Sequence, residues 1–284
     1  MTSIDVAAAH EEQRRIWDDV SEGWARWQPA FERGAGAVTA ELLRLGGVAP
    51  GQRVLDFGTG LGEPAVSAAL AVAPDGLVLG VDLSPRMIEL ARARAAGPVE
   101  FVAGDLDDLG LPAGGFDVVL SRWALPFLPD RVGTLRTLHR LLKPGGVLAA
   151  AVWGTPPRVP MISLAFAVVA RLLELPPAPP GLPGPFALAD ADLARAELAE
   201  AGFGELAVTT LGAEFRLGSL DEFAGFARDV LPPRMKQLLR DRYGTVAAPA
   251  VWTAFTEAAA PFATGDGVVV PSETLCLRAV AGAR

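Results

Sequence analysis

Between residues 53 and 153 five short apolar runs alternate with helix-length segments, and this alternation limits the possible folds more than any other feature. The runs are RVLDF (53–57), LVLGVD (77–82), VEFVAG (99–104), FDVVLS (116–121) and GVLAAAVW (146–153). Each is nearly continuous in apolar residues, as expected of a strand buried on both faces. The segments at 62–73, 85–95 and 130–142 carry the helical period. Strand and helix in alternation predict an α/β fold, with a parallel sheet covered on both sides.

The flanks read differently. Two helices are expected before residue 46, one around DVAAAHEEQRRIWDDV and one around AVTAELLRLGGV, with Gly34 and Gly36 between them as a hinge. After residue 153 a helix around MISLAFAVVA runs into a proline-rich loop, and ADLARAELAEAGF is a further helix. ELAVTTLGAEFRL reads as a strand. A helical insertion at about 219–264 then precedes a last strand around VVVPSETLCLRAV. The whole is expected to form one domain, 1–284: a helical lid (1–46), a core (47–153), and cover helices with C-terminal strands (154–284).

With 51% hydrophobic residues in 284, the chain can bury a sizeable core. A net charge of −8 opposes attraction to phosphate backbones and anionic surfaces, so no nucleic-acid partner is expected. The single cysteine, Cys276, allows no internal disulfide, and the longest apolar run is too short for a membrane span. The expectation is a cytoplasmic protein. His10, His139 and Cys276 are too few and too scattered for a zinc cluster, whereas a magnesium site would need only carboxylates and is not excluded by this count; no metal-binding residue is assigned.

The first strand ends in Asp56 and runs into Gly58, Gly60 and Gly62, a turn suited to close approach of a ligand to backbone. A pyrophosphate is a poor occupant. Glu63 stands where a dinucleotide loop wants a small, uncharged residue, and no Gly-Lys-Ser/Thr follows as in a P-loop. An acid at the strand end suits a ligand that carries positive charge.

Four ordered stretches, VLDFGTGLG, VLGVDLSPRMIELAR, FVAGDLDDLGLP and LLKPGGVLAAAVW, resemble the class I S-adenosylmethionine-dependent methyltransferases. The resemblance is to the small-molecule group around the ubiquinone/menaquinone C-methyltransferases. It implies a doubly wound, Rossmann-like, seven-stranded and mostly parallel sheet whose last strand is antiparallel. S-adenosyl-L-methionine is the implied cofactor. Asp56 would order the loop near the methionine amine, with Gly58, Thr59 and Gly60 against the ligand. Asp82 would accept the ribose hydroxyls, and Leu83 and Met87 would sandwich the adenine. Asp105, with Gly104 and Leu106 beside it, would accept from the adenine amine. Ser121 and Trp24 complete the expected cofactor set.

Ser121-Arg122-Trp123 does not match the Asn/Asp-Pro-Pro-aromatic motif of enzymes that methylate nucleic-acid bases. A small, hydrophobic acceptor is expected instead, with Trp123, Arg122, His10 and Phe127 as candidates to touch it. Phe166, Phe186, Phe223, Phe226, Trp252 and Phe255 lie on segments that could cover the pocket, although aromatics at helical spacing are more often core. His139 reads as structural, and His10 as more often solvent-facing than ligand-facing. Trp17, Trp24 and Trp27 either anchor the lid or face the sulfonium. No side chain presents itself as a general base. Two other readings are a methyltransferase-fold protein that binds the cofactor but does not methylate, and an NAD(P)-dependent oxidoreductase.

Overall fold

The computed structural model describes residues 6–95, 97–177, 179 and 181–282. The first five residues of the expected lid, and two positions of the proline-rich loop, lie outside the described residues.

The chain opens with a single helix, α1 (Val6–Gly46). Then β1 (Arg53–Phe57), α2 (Ala65–Val72), β2 (Leu77–Asp82), α3 (Pro85–Arg94), β3 (Val99–Ala103), β4 (Phe116–Arg122), α4 (Arg131–Leu141) and β5 (Leu142–Trp153) alternate as the apolar runs predict. Next come α5 (Pro160–Leu172), α6 (Ala191–Glu200) and β6 (Phe203–Leu217). The helices α7 (Leu220–Asp229), α8 (Pro233–Tyr243) and α9 (Pro249–Ala259) follow, and β7 (Ala263–Thr264) and β8 (Gly267–Ala281) end the fold.

The sheet order is β3-β2-β1-β4-β5-β8-β6. The first five strands are parallel, and β8 runs antiparallel to both β5 and β6. This is the expected mostly parallel α/β sheet, with one addition: two-residue β7 pairs with the start of β8 and makes an eighth strand. Consecutive strands step outward from β1 in both directions, so the order reverses between β1 and β4. Open α/β sheets bind ligands at the carboxyl ends of the strands flanking such a switch point.

Two apolar layers hold the sheet. Val54, Val118 and Leu120 face one with α1 and α2, whereas Leu55, Val119 and Leu148 face the other with α4 and α6. Alternate residues of one strand thus point to opposite layers, which is why these strands need continuous apolar runs.

The two-helix expectation at the N-terminus is corrected. Helix α1 continues through Pro29, Gly34 and Gly36 without a break. Gly34 is a packing position rather than a hinge, because a Cβ there would come within 2.6 Å of the Phe215 ring on β6. Phe31, Ala35, Val38 and Leu42 are buried along one face of the helix and join it to the sheet. Burial of that stripe offsets the backbone hydrogen bond that Pro29 removes from the helix interior.

Candidate active site

A cavity of about 290 Å³ opens at the carboxyl ends of β1, β2, β3 and β4. Its size falls at the lower bound of the ~300–1,000 Å³ range typical of small-molecule pockets. One end is built from backbone and acids, the other from aromatic and aliphatic side chains.

The first end starts with the turn after β1. The N–H groups of Gly58 and Thr59 donate to Val81 O at 2.8 and 3.0 Å, which ties the turn to β2. Gly58 takes φ 70° and sits where a Cβ would lie 2.2 Å from the Ala124 Cβ, so this position admits only glycine. A Cβ on Gly60 would meet open space instead. Gly60 therefore leaves bare backbone on the cavity wall.

Asp82 closes the turn from β2. Its carboxylate accepts from the N–H of Gly60 and of Ser84, each at 2.9 Å. Seclusion from solvent raises the pKa of this carboxyl, and the N–H groups of Ser84 and Gly60 pull it back. Each oxygen keeps lone-pair capacity for a ligand hydroxyl. Ser84 then caps α3 by accepting from the Met87 N–H. Leu83, Met87, Gly104, Asp105 and Leu106 all line the same end of the cavity.

Asp56 stands elsewhere. It is fully buried beneath the turn and accepts from the Ala65 N–H at 3.1 Å, at the start of α2. Burial pushes its carboxyl up to about 7, against the pull of Thr59 and Arg122. It supports the loop and is not on the cavity wall. Ser121 is likewise fully buried and off the wall. Residues at the end of a doubly covered strand are as readily shut in as presented, and a sequence pattern does not separate the two.

The second end gathers Trp17, Trp24 and Phe31 from α1, Trp123 and Phe127 from the segment after β4, Trp153 from β5, and Phe166 from α5. Trp123 stacks on Trp153 with ring centroids 4.0 Å apart and planes 7° apart. Its φ of 62° is the left-handed region, unusual for a bulky residue and of a kind that concentrates at functional sites. Trp17 meets Phe127 edge to face at 5.0 Å.

Arg122 also lines the cavity, but its guanidinium is held. It makes a bidentate pair with Glu32 and donates to Thr39 Oγ1 at 2.7 Å, both on α1. Its side chain is only 6% exposed, so it fastens α1 to β4.

His10 is not solvent-facing, which corrects the more common expectation. Its side chain is 17% exposed and its Nδ1 meets the Asp105 carboxylate across the cavity rim. The sequence shows no link between positions 95 apart. A helix laid over the strand ends makes that link.

Phe186, Phe223, Phe226, Trp252 and Phe255 do not line the cavity. The last four are core, packed between α7, α9 and the sheet. From the late segments the wall takes Ala227, Val230, Leu231 and Pro232 instead. These small residues carry no aromatic signal in the sequence. Trp27 is an anchor, because its indole N–H donates to Asp229 at 2.9 Å. His139 packs against Phe203 on the far side of the sheet. Among the described residues no cluster of three His, Cys, Asp or Glu is placed to hold a metal, and no helix is long and apolar enough to cross a membrane.

Comparison with known proteins agrees with this geometry. Residues 55–150 match a family described as a methyltransferase domain. Over 119 residues the chain is 36% identical to the ubiquinone/menaquinone biosynthesis C-methyltransferase of Ectopseudomonas mendocina, a match covering 40% of this chain and 46% of that protein. Over 158 residues it is 34% identical to phosphoethanolamine N-methyltransferase 1 of Arabidopsis thaliana, covering 52% of this chain and 32% of that protein. The chain thus spans less than half the length of either relative. Among solved structures, the 4+2 cyclase SpnF shares the fold, with a TM-score of 0.54 and 19% identity over 94% of this chain and 96% of that one. Residues 55–150 thus match a methyltransferase domain, on a fold shared with solved methyltransferase-like structures. The relatives are named for different acceptors, so the similarity does not single out one acceptor.

Proposed function

We propose that this protein transfers a methyl group from S-adenosylmethionine to a small acceptor with a largely apolar body. The observation that carries the reading is one continuous cavity, with acids and bare backbone at one end and a box of Trp and Phe at the other.

The acidic end suits this cofactor by its donor set. Asp82, Asp105 and Glu63 face the cavity there, and Arg122 is already engaged with Glu32. A pyrophosphate would meet carboxylates, whereas a sulfonium and an ammonium would meet complementary charge. Asp82 is assigned the ribose hydroxyls, and Met87 and Leu83 the adenine faces. Asp105 is assigned the adenine amine, in place of or beside His10. Glycines 58 and 60 let the ligand lie against backbone. This disfavours the NAD(P)-dependent alternative.

When bound, the cofactor supplies a methyl group on a leaving group that is already activated. The protein's part is positioning and exclusion of water. Trp123 and Trp153 present a rigid stacked wall beside the strand ends. Trp24, Phe31, Ile162 and Phe166 close the apolar end around the acceptor. We assign Trp123 and Phe127 to acceptor contact, and Arg122 to holding α1 in place.

The N-terminal half of α1 is assigned the role of a cover. It meets the cofactor end through His10–Asp105, Asp18–Ser84 and Glu22–Arg86, all polar contacts. Polar latches can open at less cost than the apolar packing of residues 31–42. The bend, if the cover opens, falls near Pro29 rather than at Gly34.

Incubation with S-adenosylmethionine carrying a trideuterated methyl group, and a panel of apolar acceptors, tests the reading by mass spectrometry. A product heavier by the labelled methyl supports it. Cofactor binding accompanied by unlabelled conversion of an acceptor would favour a non-methylating enzyme of this fold.

A further inference from the structure

Several acids face the cavity, and all but one have strong partners within the protein. Asp82 holds two backbone N–H groups, Asp105 meets His10, Asp107 accepts from the Thr137 hydroxyl, and Glu32 pairs with Arg122. Glu63 is the exception among the described residues. Its contact is Ser67, whose N–H donates to Oε2 at 3.3 Å. The cation that acts on it, Arg122, is held by Glu32 and Thr39. A half-buried carboxylate without a cation is an unfavourable arrangement, and a ligand charge would relieve it.

Strand order says which part of the ligand arrives there. Asp105 follows β3 and Asp82 ends β2, while Glu63 follows the turn from β1. With adenine at β3 and ribose at β2, the amino-acid tail of the cofactor must run toward β1 and β4. There it passes Gly58, Gly60 and Glu63 on the cavity wall. The tail carries an α-ammonium with three donors, which is what an unpaired carboxylate accepts best.

We propose that Glu63 receives the α-ammonium group of the cofactor and so selects for ligands with an intact amino-acid tail. The assignment rests on the cofactor reading above. Burial raises the pKa of Glu63, Ser67 draws it back and Glu32 adds to the rise, as expected of an acid whose counter-charge comes with the ligand. The competing role is purely local, in which Glu63 only organises the start of α2 through Ser67.

Two ligands separate these roles. S-adenosylhomocysteine keeps the ammonium, whereas 5′-methylthioadenosine has the nucleoside and sulfur but no amino-acid tail. Titration calorimetry on the full chain should show Glu63→Gln weakening S-adenosylhomocysteine by roughly 10- to 100-fold, the worth of a charged hydrogen bond. The same variant should bind methylthioadenosine within about twofold of wild type, since that contact is absent for it. Glu63→Asp, which keeps the charge, should lie between wild type and Glu63→Gln. Unchanged S-adenosylhomocysteine affinity in Glu63→Gln overturns the proposal, and so does an equal loss for both ligands. Wild-type protein that binds neither ligand overturns the cofactor reading itself and this assignment with it.

Discussion

The two ends of the cavity are built by different means. At the acidic end the wall comes mainly from one stretch of chain, residues 57–107, with His10 of α1 at its rim, and the functional atoms are backbone N–H groups and carboxylates placed by strand ends. At the aromatic end the wall comes from α1, the segment after β4, the end of β5, α5 and the α7–α8 junction, and its atoms are apolar side chains. A shared cofactor needs fixed polar geometry, which a sheet supplies. A variable acceptor needs shape, and shape comes from whichever helices cover the sheet.

The comparison makes the two ends fail differently. At the aromatic end the side chains also hold the protein together, so damage should register first as instability. Phe31 is buried, stacks on Phe215 at 4.8 Å, and meets Trp24 and Trp123 edge to face. Phe31→Ala should cost about 3–5 kcal/mol of stability by chemical denaturation, the usual loss for a buried Phe. A loss below about 1 kcal/mol would mean that α1 is a loose cover along its whole length.

At the buried support of the acidic end, pH should be the sensitive variable. Asp56 titrates near 7 when folded and near the ordinary carboxylate value when unfolded. Between these values the folded state binds more protons, so this group's contribution makes stability fall as pH rises. The slope approaches about 1.4 kcal/mol per pH unit and vanishes above the folded value. Asp56→Asn removes that dependence. Its stability relative to wild type should therefore improve between pH 5 and pH 8, as measured by denaturation at each pH. A difference that stays constant across that range would mean that Asp56 is ionised in the fold.

On the wall of the same end, damage should register as lost affinity. Asp82→Ala should weaken S-adenosylhomocysteine by about 1.5–3 kcal/mol, read by calorimetry on a variant whose folding is checked separately. Unchanged affinity in a folded variant would remove Asp82 from the ribose. The smallest effect belongs to α1, which touches both ends. Hydrogen exchange with S-adenosylhomocysteine should gain protection over residues 10–27, where the contacts to the cofactor end are polar, and little over 31–42. Equal exchange in both states would make the entire helix fixed packing.

The contrast also explains what could be read from sequence. Asp82, Gly58 and Gly60 were legible because strand length and turn geometry fix their positions within one contiguous stretch. Asp56 belongs to the same motif, yet its burial under the loop depends on α2 folding back, which the motif does not encode. For His10 the sequence leaves a solvent-facing and a ligand-facing reading open, because its partner is 95 residues away. The hinge at Gly34 failed for a related reason. A glycine in a helix signals flexibility or close packing equally well, and only Phe215 on a strand far along the chain decides for packing. Phe223, Phe226, Trp252 and Phe255 repeat the lesson at the aromatic end, since size and spacing do not say which way a helix face turns.

The claim on which the rest depends is that the acidic end is a site for S-adenosylmethionine. Its most direct test is calorimetric titration of the wild-type protein with S-adenosylhomocysteine, run beside NAD+ and NADP+. The account predicts saturable one-to-one binding of S-adenosylhomocysteine and no measurable binding of either dinucleotide. Binding of a dinucleotide with none of S-adenosylhomocysteine would contradict it.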